Sequence, residues 1–555
     1  MRLALPILHW LPGYSRADFR GDLAAGLTVG VMLVPQSMAY ALLAGVPAIY
    51  GLYASLVPLL VYVVLGSSRH LAVGITALDS LIVVAALSAV ASPMSDDFVG
   101  LALLLAIMAG AIQLAMGLAR FGFVVALLSR PVITGFTAAA AITIGISQVE
   151  SLLGLTLGGA KDPFSTLYET ALSMASVHPP SVVIGAGGIV LLLFLRRFAP
   201  RVPAALVAVV LATLAVDVFG LSAGGMRVVG DVPTGLPFPT LPTLDLGAVR
   251  QLLPAAITLS LVQFMSVISL GKVFAARHGY RVDPNRELVA LGALNLVGAL
   301  FRSVPVSGSF SRSAVGERAG GQTALANAVA AAVVALTLLF LTPLFRSLPI
   351  PVLASIILVA ALSMVDVQEL RLMLRAKRID GLIALLTFGA TLILGIQNGV
   401  IVGIFASVVA IMLRISRPHV AELGRLPGTT VYRSLTRHPS AERIPGLHIV
   451  RFDASLGFAN ADFLGEYLTG QAVADPAVHT VLVDASSVND LDLTAAAILL
   501  ETSRRLALNG TRLAFFGVKG PVKDVMDRSG LLDALGPDRS FLDGAAAVEA
   551  LQAPT

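Results

Sequence analysis

About fourteen apolar stretches crowd the chain before residue 416, and they constrain its fold more than any other feature. A spanning helix needs about 20 apolar residues, or fewer where it is broken inside protein. The stretches fall at 23–44, 47–66, 72–91, 98–118, 123–149, 181–195 and 202–220 in a first half. In a second half they fall at 250–274, 286–301, 307–320, 322–343, 351–365, 379–396 and 399–415. A bilayer offers no water to backbone polar groups, so such a chain must satisfy them within helices. Seven spans followed by seven that start from the opposite side would make an inverted repeat.

Two polar interruptions break the apolar pattern. Pro305 to Glu317 reads PVSGSFSRSAVGE between the apolar runs Leu288 to Leu300 and Ala324 to Leu341, and residues 66–80 read GSSRHLAVGITALDS ahead of the run Leu81 to Val90. Non-helical backbone at membrane depth is tolerated only where it is buried in protein or lines a cavity. Ser307 to Ser313 is therefore expected to form one wall of a binding site. Thr76 and Ser311 lie 235 residues apart, in similar places of successive halves. Paired interruptions of this kind point to a transport site built from broken helices, whose facing N-termini favour an anion between them. The competing reading of Ser307 to Ser313 is a small-residue contact between helices.

Composition agrees with a membrane protein, since 56% of residues are hydrophobic and only 13% are charged. With no cysteine, disulfides, thiolate metal sites and cysteine nucleophiles are excluded, and the eight histidines show no ligand spacing. No metal and no cofactor is expected. Residues 1–22 carry Arg2, Arg16 and Arg20 and lack a signal-peptide pattern, which suits an interfacial lead-in. Residues 433–555 hold 11 Lys and Arg against 15 Asp and Glu, a net of −4 that leaves +9 for the rest of a chain of net +5. That excess sits in short loops, at Arg69, Arg120, Arg196, Arg197 and Arg201, opposite loops that hold Asp96 and Asp97. It reads as membrane topology with cytoplasmic termini, and not as a nucleic-acid footprint.

After Arg417 the character changes. Residues 445–453, 479–484 and 511–518 read as buried strands, and 460–473, 493–509, 520–529 and 544–551 as amphipathic helices. Such alternation indicates a small α/β domain with a mostly parallel sheet. The expected division is 1–22 interfacial, 23–417 transmembrane, 418–444 linker and start of the last domain, and 445–555 the α/β domain itself. No set of nucleophile, base and orienter is present, and GVKGPVK lacks the spacing of a Walker loop, so no enzyme is expected.

Several stretches carry a family resemblance. LTVGVMLVPQSMAYALLAGVPAIYGLYASLVP (27–58), GSSRHLAVG, GKVFAARHGYRVDPNRELVALGALNLVGALF (271–301) and PVSGSFSRSAVGERAG resemble, in order, signature segments of the sulfate permease family, also called solute carrier family 26. Residues 445–551 resemble its C-terminal STAS domain. The resemblance implies a polytopic α-helical fold of about 14 spans in core and gate domains, a homodimer and an elevator-like movement. It places the substrate among Met32, Gln36 and Tyr40 in span one, Thr76 and Ala77 in span three, and Ser309, Phe310, Ser311 and Arg312 at span ten. The expected activity is secondary active transport of a small oxyanion, sulfate first, across a bacterial-type inner membrane.

Bicarbonate, a C4-dicarboxylate, uncoupled uniport and exchange stay open within that family. A nucleobase permease of the same fold, or a STAS-based sensor with a cytoplasmic protein partner, are the alternatives outside it. Many bacterial relatives carry an acid in span eight where Ser266 stands, which bears on coupling to a proton or sodium ion. Asp79 lies in the first turn of span three, where relatives usually have an apolar or small residue. It shares a helical face with Thr76. A carboxylate beside an anion site must be paired or protonated, so Asp79 is expected either to bridge to Arg312 or to carry a coupled proton. Arg312 as a membrane-surface anchor is the competing role for that residue. Pro35 and Gln36 are expected to break span one, with Gln36 bonding the freed backbone. Thr494 stands where STAS relatives can be phosphorylated.

Overall fold

A computed structural model describes residues 5–123, 129–157, 163–199, 202–241 and 245–552. Arg2, Arg201, residues 124–128 of the span expected at 123–149, residues 242–244 between the two halves, and residues 553–555 lie outside them. The described residues form two compact units, 1–407 and 408–555.

The first unit is mainly helical. Among the described residues nine helices are long and apolar enough to cross a membrane, with shorter apolar helices at Ala77–Leu87 and Ala204–Val218. The elements that build the site are α1 (Arg16–Leu43), α2 (Val57–Leu65), β1 (Val73–Gly74), α3 (Ala77–Leu87), α4 (Asp96–Leu118), α5 (Leu246–His278), α6 (Pro284–Leu300), β2 (Ser307–Gly308), α7 (Phe310–Arg318) and α8 (Leu325–Leu336). Ser15 starts α1 with a capping box, accepting from the Asp18 N–H at 3.1 Å while its own N–H donates to Asp18 at 2.8 Å. Contrary to the expected break, α1 runs unbroken through Pro35 for 28 residues, and the Gln36 side-chain oxygen bonds nothing. Packing against neighbouring helices keeps it continuous where proline removes one bond.

Small residues let these helices approach closely. A Cβ on Gly26 or Gly30 of α1 would collide with Val329 or Val333 of α8, and one on Gly110 of α4 with the backbone of Gly292 in α6. Two buried carboxylates then fasten the loops beside the polar interruptions. Glu287 of α6 accepts from the Ser67 N–H and hydroxyl, both at 2.7 Å, from the Ser68 N–H at 2.9 Å and from the Tyr62 hydroxyl at 3.1 Å. Asp22 of α1 accepts from the Gln322 and Thr323 N–H groups at 2.7 and 2.9 Å and from the Thr323 hydroxyl. Each carboxylate substitutes for water at backbone donors that have no helical partner.

The second unit holds a six-stranded sheet. Its strands are β3 (Val420–Arg425), β4 (Tyr432–Ser434), β5 (Leu447–Phe452), β6 (Thr480–Asp484), β7 (Arg512–Phe516) and β8 (Ser540–Phe541), in the order β4-β3-β5-β6-β7-β8. The run from β5 to β8 is parallel, while β3 pairs antiparallel with both its neighbours. Helices α9 (Ala461–Ala474), α10 (Leu493–Leu508), α11 (Gly520–Arg528) and α12 (Gly544–Gln552) connect and cover it. Side chains alternate across the sheet, as strand geometry requires. Val450, Phe452, Val481, Val483, Leu513 and Phe515 face one apolar layer, and Ile449, Leu482, Ala514 and Phe516 face the other. Each expected strand and helix is present. The sequence reading did not resolve β3 and β4 inside 418–444, the two-residue β8, or the short helix Leu531–Leu535.

Candidate functional site

The two polar interruptions meet. β1 and β2 pair antiparallel, with Val73 opposite Gly308 and Gly74 opposite Ser307, and the Ser309 N–H extends the ladder by donating to the Ala72 carbonyl at 2.9 Å. Since the strands run in opposite directions, α3 leaves one end of the ladder and α7 the other. Both helices therefore begin at a common centre with their N-termini turned toward each other. Gly74 makes this possible. Its φ is +144°, and a Cβ there would press on the Arg312 guanidinium at 3.2 Å.

The two helix starts are finished differently. Thr76 caps α3, accepting from the Asp79 N–H at 3.2 Å and donating its hydroxyl to Asp79 Oδ2 at 2.8 Å. Ser309 precedes α7 but caps nothing, and its hydroxyl lies 3.2 Å from that of Ser311. The N–H groups of Phe310, Ser311 and Arg312 have no acceptor among the described residues. Phe310 is 53% exposed and Ser311 is exposed, so this helix start opens outward from the core. Open N–H groups at the positive end of a helix form an anion site without further ligands.

Arg312 does not anchor at a membrane surface, because its side chain is fully buried. Its Nη2 donates to the Ile75 carbonyl at 3.0 Å, while Nε and Nη1 have no partner. The charge thus sits beneath the junction of the two helix starts. The expected salt bridge to Asp79 is not made. The two groups interact only at longer range, as Arg312 also does with Tyr40. Asp79, 1% exposed, instead accepts from the Ser307 hydroxyl at 2.5 Å as well as from Thr76. It joins the start of α3 to the lead-in of α7, two regions from opposite halves of the chain.

Helix α1 passes both helix starts and packs against α3 and α7. Met32, Gln36 and Tyr40 recur at four-residue spacing on one of its faces. Gln36 and Tyr40 are buried, Met32 is half-buried, and Ala77 is buried at the first position of α3. Ser266 of α5 turns its hydroxyl onto its own helix, donating to the Val262 carbonyl at 2.9 Å. Thr494 is exposed at the second position of α10, directly after the Asp492 cap. Among the described residues no cluster of His, Asp and Glu is arranged to hold a metal ion.

The sequence reading missed a set of buried amides. Asn295 of α6 accepts from the Val306 N–H at 2.9 Å and donates to the Val306 carbonyl at 3.2 Å, fixing the residue before β2. Gln113 of α4 donates to the Gln263 carbonyl oxygen at 2.8 Å, and Asn295 donates to the same oxygen at 3.3 Å. Asn327 of α8 donates to the Leu71 carbonyl ahead of β1 at 2.9 Å. Polar side chains inside apolar spans were the available signal.

Known proteins resemble the chain along nearly its whole length. The model of the sulfate permease family matches residues 19–387, and that of the STAS domain matches 438–543. A Mycobacterium tuberculosis protein named as a probable sulfate transporter is 36% identical over 550 residues, covering 98% of each chain. Sulfate transporter 4.1, chloroplastic, of Arabidopsis thaliana is 35% identical over 97% of this chain and 81% of its own. Human solute carrier family 26 member 6 is 37% identical over 85% of this chain and 65% of its own. Among solved structures, the murine solute carrier 26 family member A9 anion transporter in the inward-facing state superposes with a TM-score of 0.90 at 26% identity. That match covers 99% of this chain and 94% of the transporter. The transmembrane domain of a cyanobacterial bicarbonate transporter matches with a TM-score of 0.60 at 25% identity, over 71% of this chain and 98% of its own.

Proposed function

The chain belongs to the sulfate permease family of membrane anion transporters, and from that premise we propose that it moves sulfate across a bacterial-type inner membrane by an elevator-like alternation, as a homodimer with cytoplasmic termini. The observation that carries this reading is the β1–β2 ladder, which aims two helix N-termini at one centre above a buried arginine. There the open N–H groups of α7, the hydroxyls of Ser309 and Ser311, and the Arg312 charge attract an oxyanion. Met32, Gln36, Tyr40, Thr76, Ala77 and Phe310 complete the proposed walls. The proposed division keeps 23–417 as the transport domain, 418–444 as the linker and start of the STAS domain, and 445–555 as the STAS domain, which offers a surface to a cytoplasmic partner.

Coupling is placed on Asp79 and not on Ser266, whose hydroxyl is committed to its own helix. An ionised Asp79 offsets the Arg312 charge, whereas a protonated one leaves the junction with an extra unit of positive charge. Proton and anion therefore favour each other's binding, the linkage on which symport would rest. Phosphorylation at Thr494 would set a new negative charge beside Asp492. A Thr494→Glu variant that transports as the parent does would remove Thr494 from regulation.

The test is uptake of labelled sulfate into proteoliposomes with and without an inward proton gradient, with bicarbonate and fumarate as competitors. Uptake that rises with the gradient supports the reading. Absence of sulfate flux together with direct flux of a competitor overturns the substrate, and gradient-independent uptake overturns the coupling.

A further inference from the structure

Arg312 is a buried cation without a counter-ion. Its side chain is fully buried, and Nε and Nη1 have no partner. No acid among the described residues bonds it. Asp79 is taken by the Thr76 and Ser307 hydroxyls, and Glu317 by Arg277 at 3.1 Å and His278 at 2.8 Å. Arg312 lines a cavity of about 320 Å3, counted to its open mouth, along the α7 face that carries Arg312, Gly316 and Glu317. Residues 69–72 ahead of β1 and the start of α8 form its other sides. His70 stands in that wall, and its buried Nε2 also lacks a partner, while Nδ1 lies 3.3 Å from the Tyr280 hydroxyl. We propose that this cavity is a second anion site, separate from the open start of α7. It takes a halide-sized monovalent anion and, by neutralising Arg312, lowers the affinity of the α7 start for the transported oxyanion.

Charge, donors and space agree on that ligand. A buried guanidinium with free N–H groups is costly unless an anion meets it. With the Tyr280 hydroxyl donating to His70 Nδ1, the ring proton sits on Nε2, so His70 adds a second donor. Other polar side chains in the wall are engaged. Ser313 accepts from the Ala72 N–H at 2.8 Å, Asn327 donates to the Leu71 carbonyl at 2.9 Å, and the Thr323 hydroxyl donates to Asp22. Glu317 also lines the cavity, so a divalent anion would set two charges against one buried cation and a nearby carboxylate. A monovalent anion balances Arg312 alone. Glycine keeps the space open. A Cβ on Gly316 would meet only Val29, at an ordinary 3.4 Å, so helix packing does not require glycine there, and a helix interior favours Ala over Gly. Ser309, Phe310 and Ser311 do not line the cavity, and of the residues placed at the α7 start only Arg312 does. The two anions therefore share one cation, and each lowers the affinity for the other.

This inference rests on the reading that the α7 start binds the transported anion, and two measurements keep them apart. In detergent with sulfate saturating, replacing gluconate by chloride at constant ionic strength is expected to raise the unfolding midpoint of the parent by about 2 °C or more. Gly316→Leu, which fills the cavity, should abolish that shift. His70→Phe keeps a ring against His278, whose centroid lies 4.0 Å from that of His70, but removes the Nε2 donor. It should weaken chloride binding about three- to tenfold, and it carries the test alone should Gly316→Leu not fold. In proteoliposomes chloride also competes directly at the α7 start, equally in parent and variant. The rise in sulfate KM with chloride should therefore be about fivefold larger in the parent than in Gly316→Leu. No chloride shift in the parent overturns the site. A shift that both variants keep in full overturns its place behind Arg312, and an equal rise in KM overturns its effect on transport. Absence of sulfate flux with the chloride shift intact overturns the substrate proposed above and leaves the cavity site standing.

Discussion

Glu287 and Asp79 are equally withdrawn from solvent, yet the donors around them differ in kind. Glu287 meets two backbone N–H groups, which can only donate, together with two hydroxyls. Asp79 meets the hydroxyls of Thr76 and Ser307. Both backbone donors at Glu287 fall on Oε1, which must stay an acceptor and leaves only Oε2, beside the Tyr62 hydroxyl, to take a proton, whereas both donors at Asp79 are hydroxyls that can reverse. The first carboxylate is a fixed fastening. The second has the freedom that a coupling group needs.

Mutations that break the comparison should rank accordingly. Glu287→Ala is expected to cost about 3–5 kcal/mol, since it strands buried partners, and thermal unfolding in detergent should show the loss before any transport assay is attempted. Arg312→Met removes a charge that holds only one carbonyl. It should weaken anion affinity about tenfold or more, read as KM or by titration, while leaving the unfolding midpoint near the parental value. Asp79→Asn should keep the fold within about 1 kcal/mol, because an amide can serve the same hydroxyls, and a large fall in unfolding temperature would place Asp79 with Glu287 as a fastening. Ser309→Ala removes one exposed hydroxyl and should raise KM only a few-fold, about 1 kcal/mol.

A control sharpens the pH experiments. His448 in β5 is buried, and burial holds its imidazole below the usual range despite Glu422 3.6 Å away. Below about pH 6.5 the unfolded chain takes up a proton there that the folded domain resists, so the stability of the STAS unit should fall as the solution is acidified. His448→Phe should lessen that fall without moving the pH dependence of transport assigned to Asp79.

Much of this was legible in the residues. Gly, Ser and Arg in an apolar region marked 66–80 and 305–317, and their matching places in two halves implied that they meet, as β1 and β2 do. Short apolar runs located β5, β6 and β7 as buried strands. What escaped was partnership. Asp79 and Arg312 looked like a pair by charge, but Ser307 and Ile75 supplied nearer partners. Pro35 looked like a break, but neighbouring helices kept α1 continuous. Gln113, Gln263 and Asn295 lie far apart in sequence, and only the fold brings one amide against another.

The β1–β2 ladder also has a consequence for biosynthesis. Gly74 leaves the ribosome more than two hundred residues before Ser307, its partner in the ladder. At about 5–20 residues per second, the first lead-in waits roughly 10 to 50 s with its strand edge unpaired. During that interval the nascent first half holds an incomplete site. Competence for the anion arrives late and all at once, when the second half inserts, so a chain interrupted between the halves would carry its spans without a binding centre.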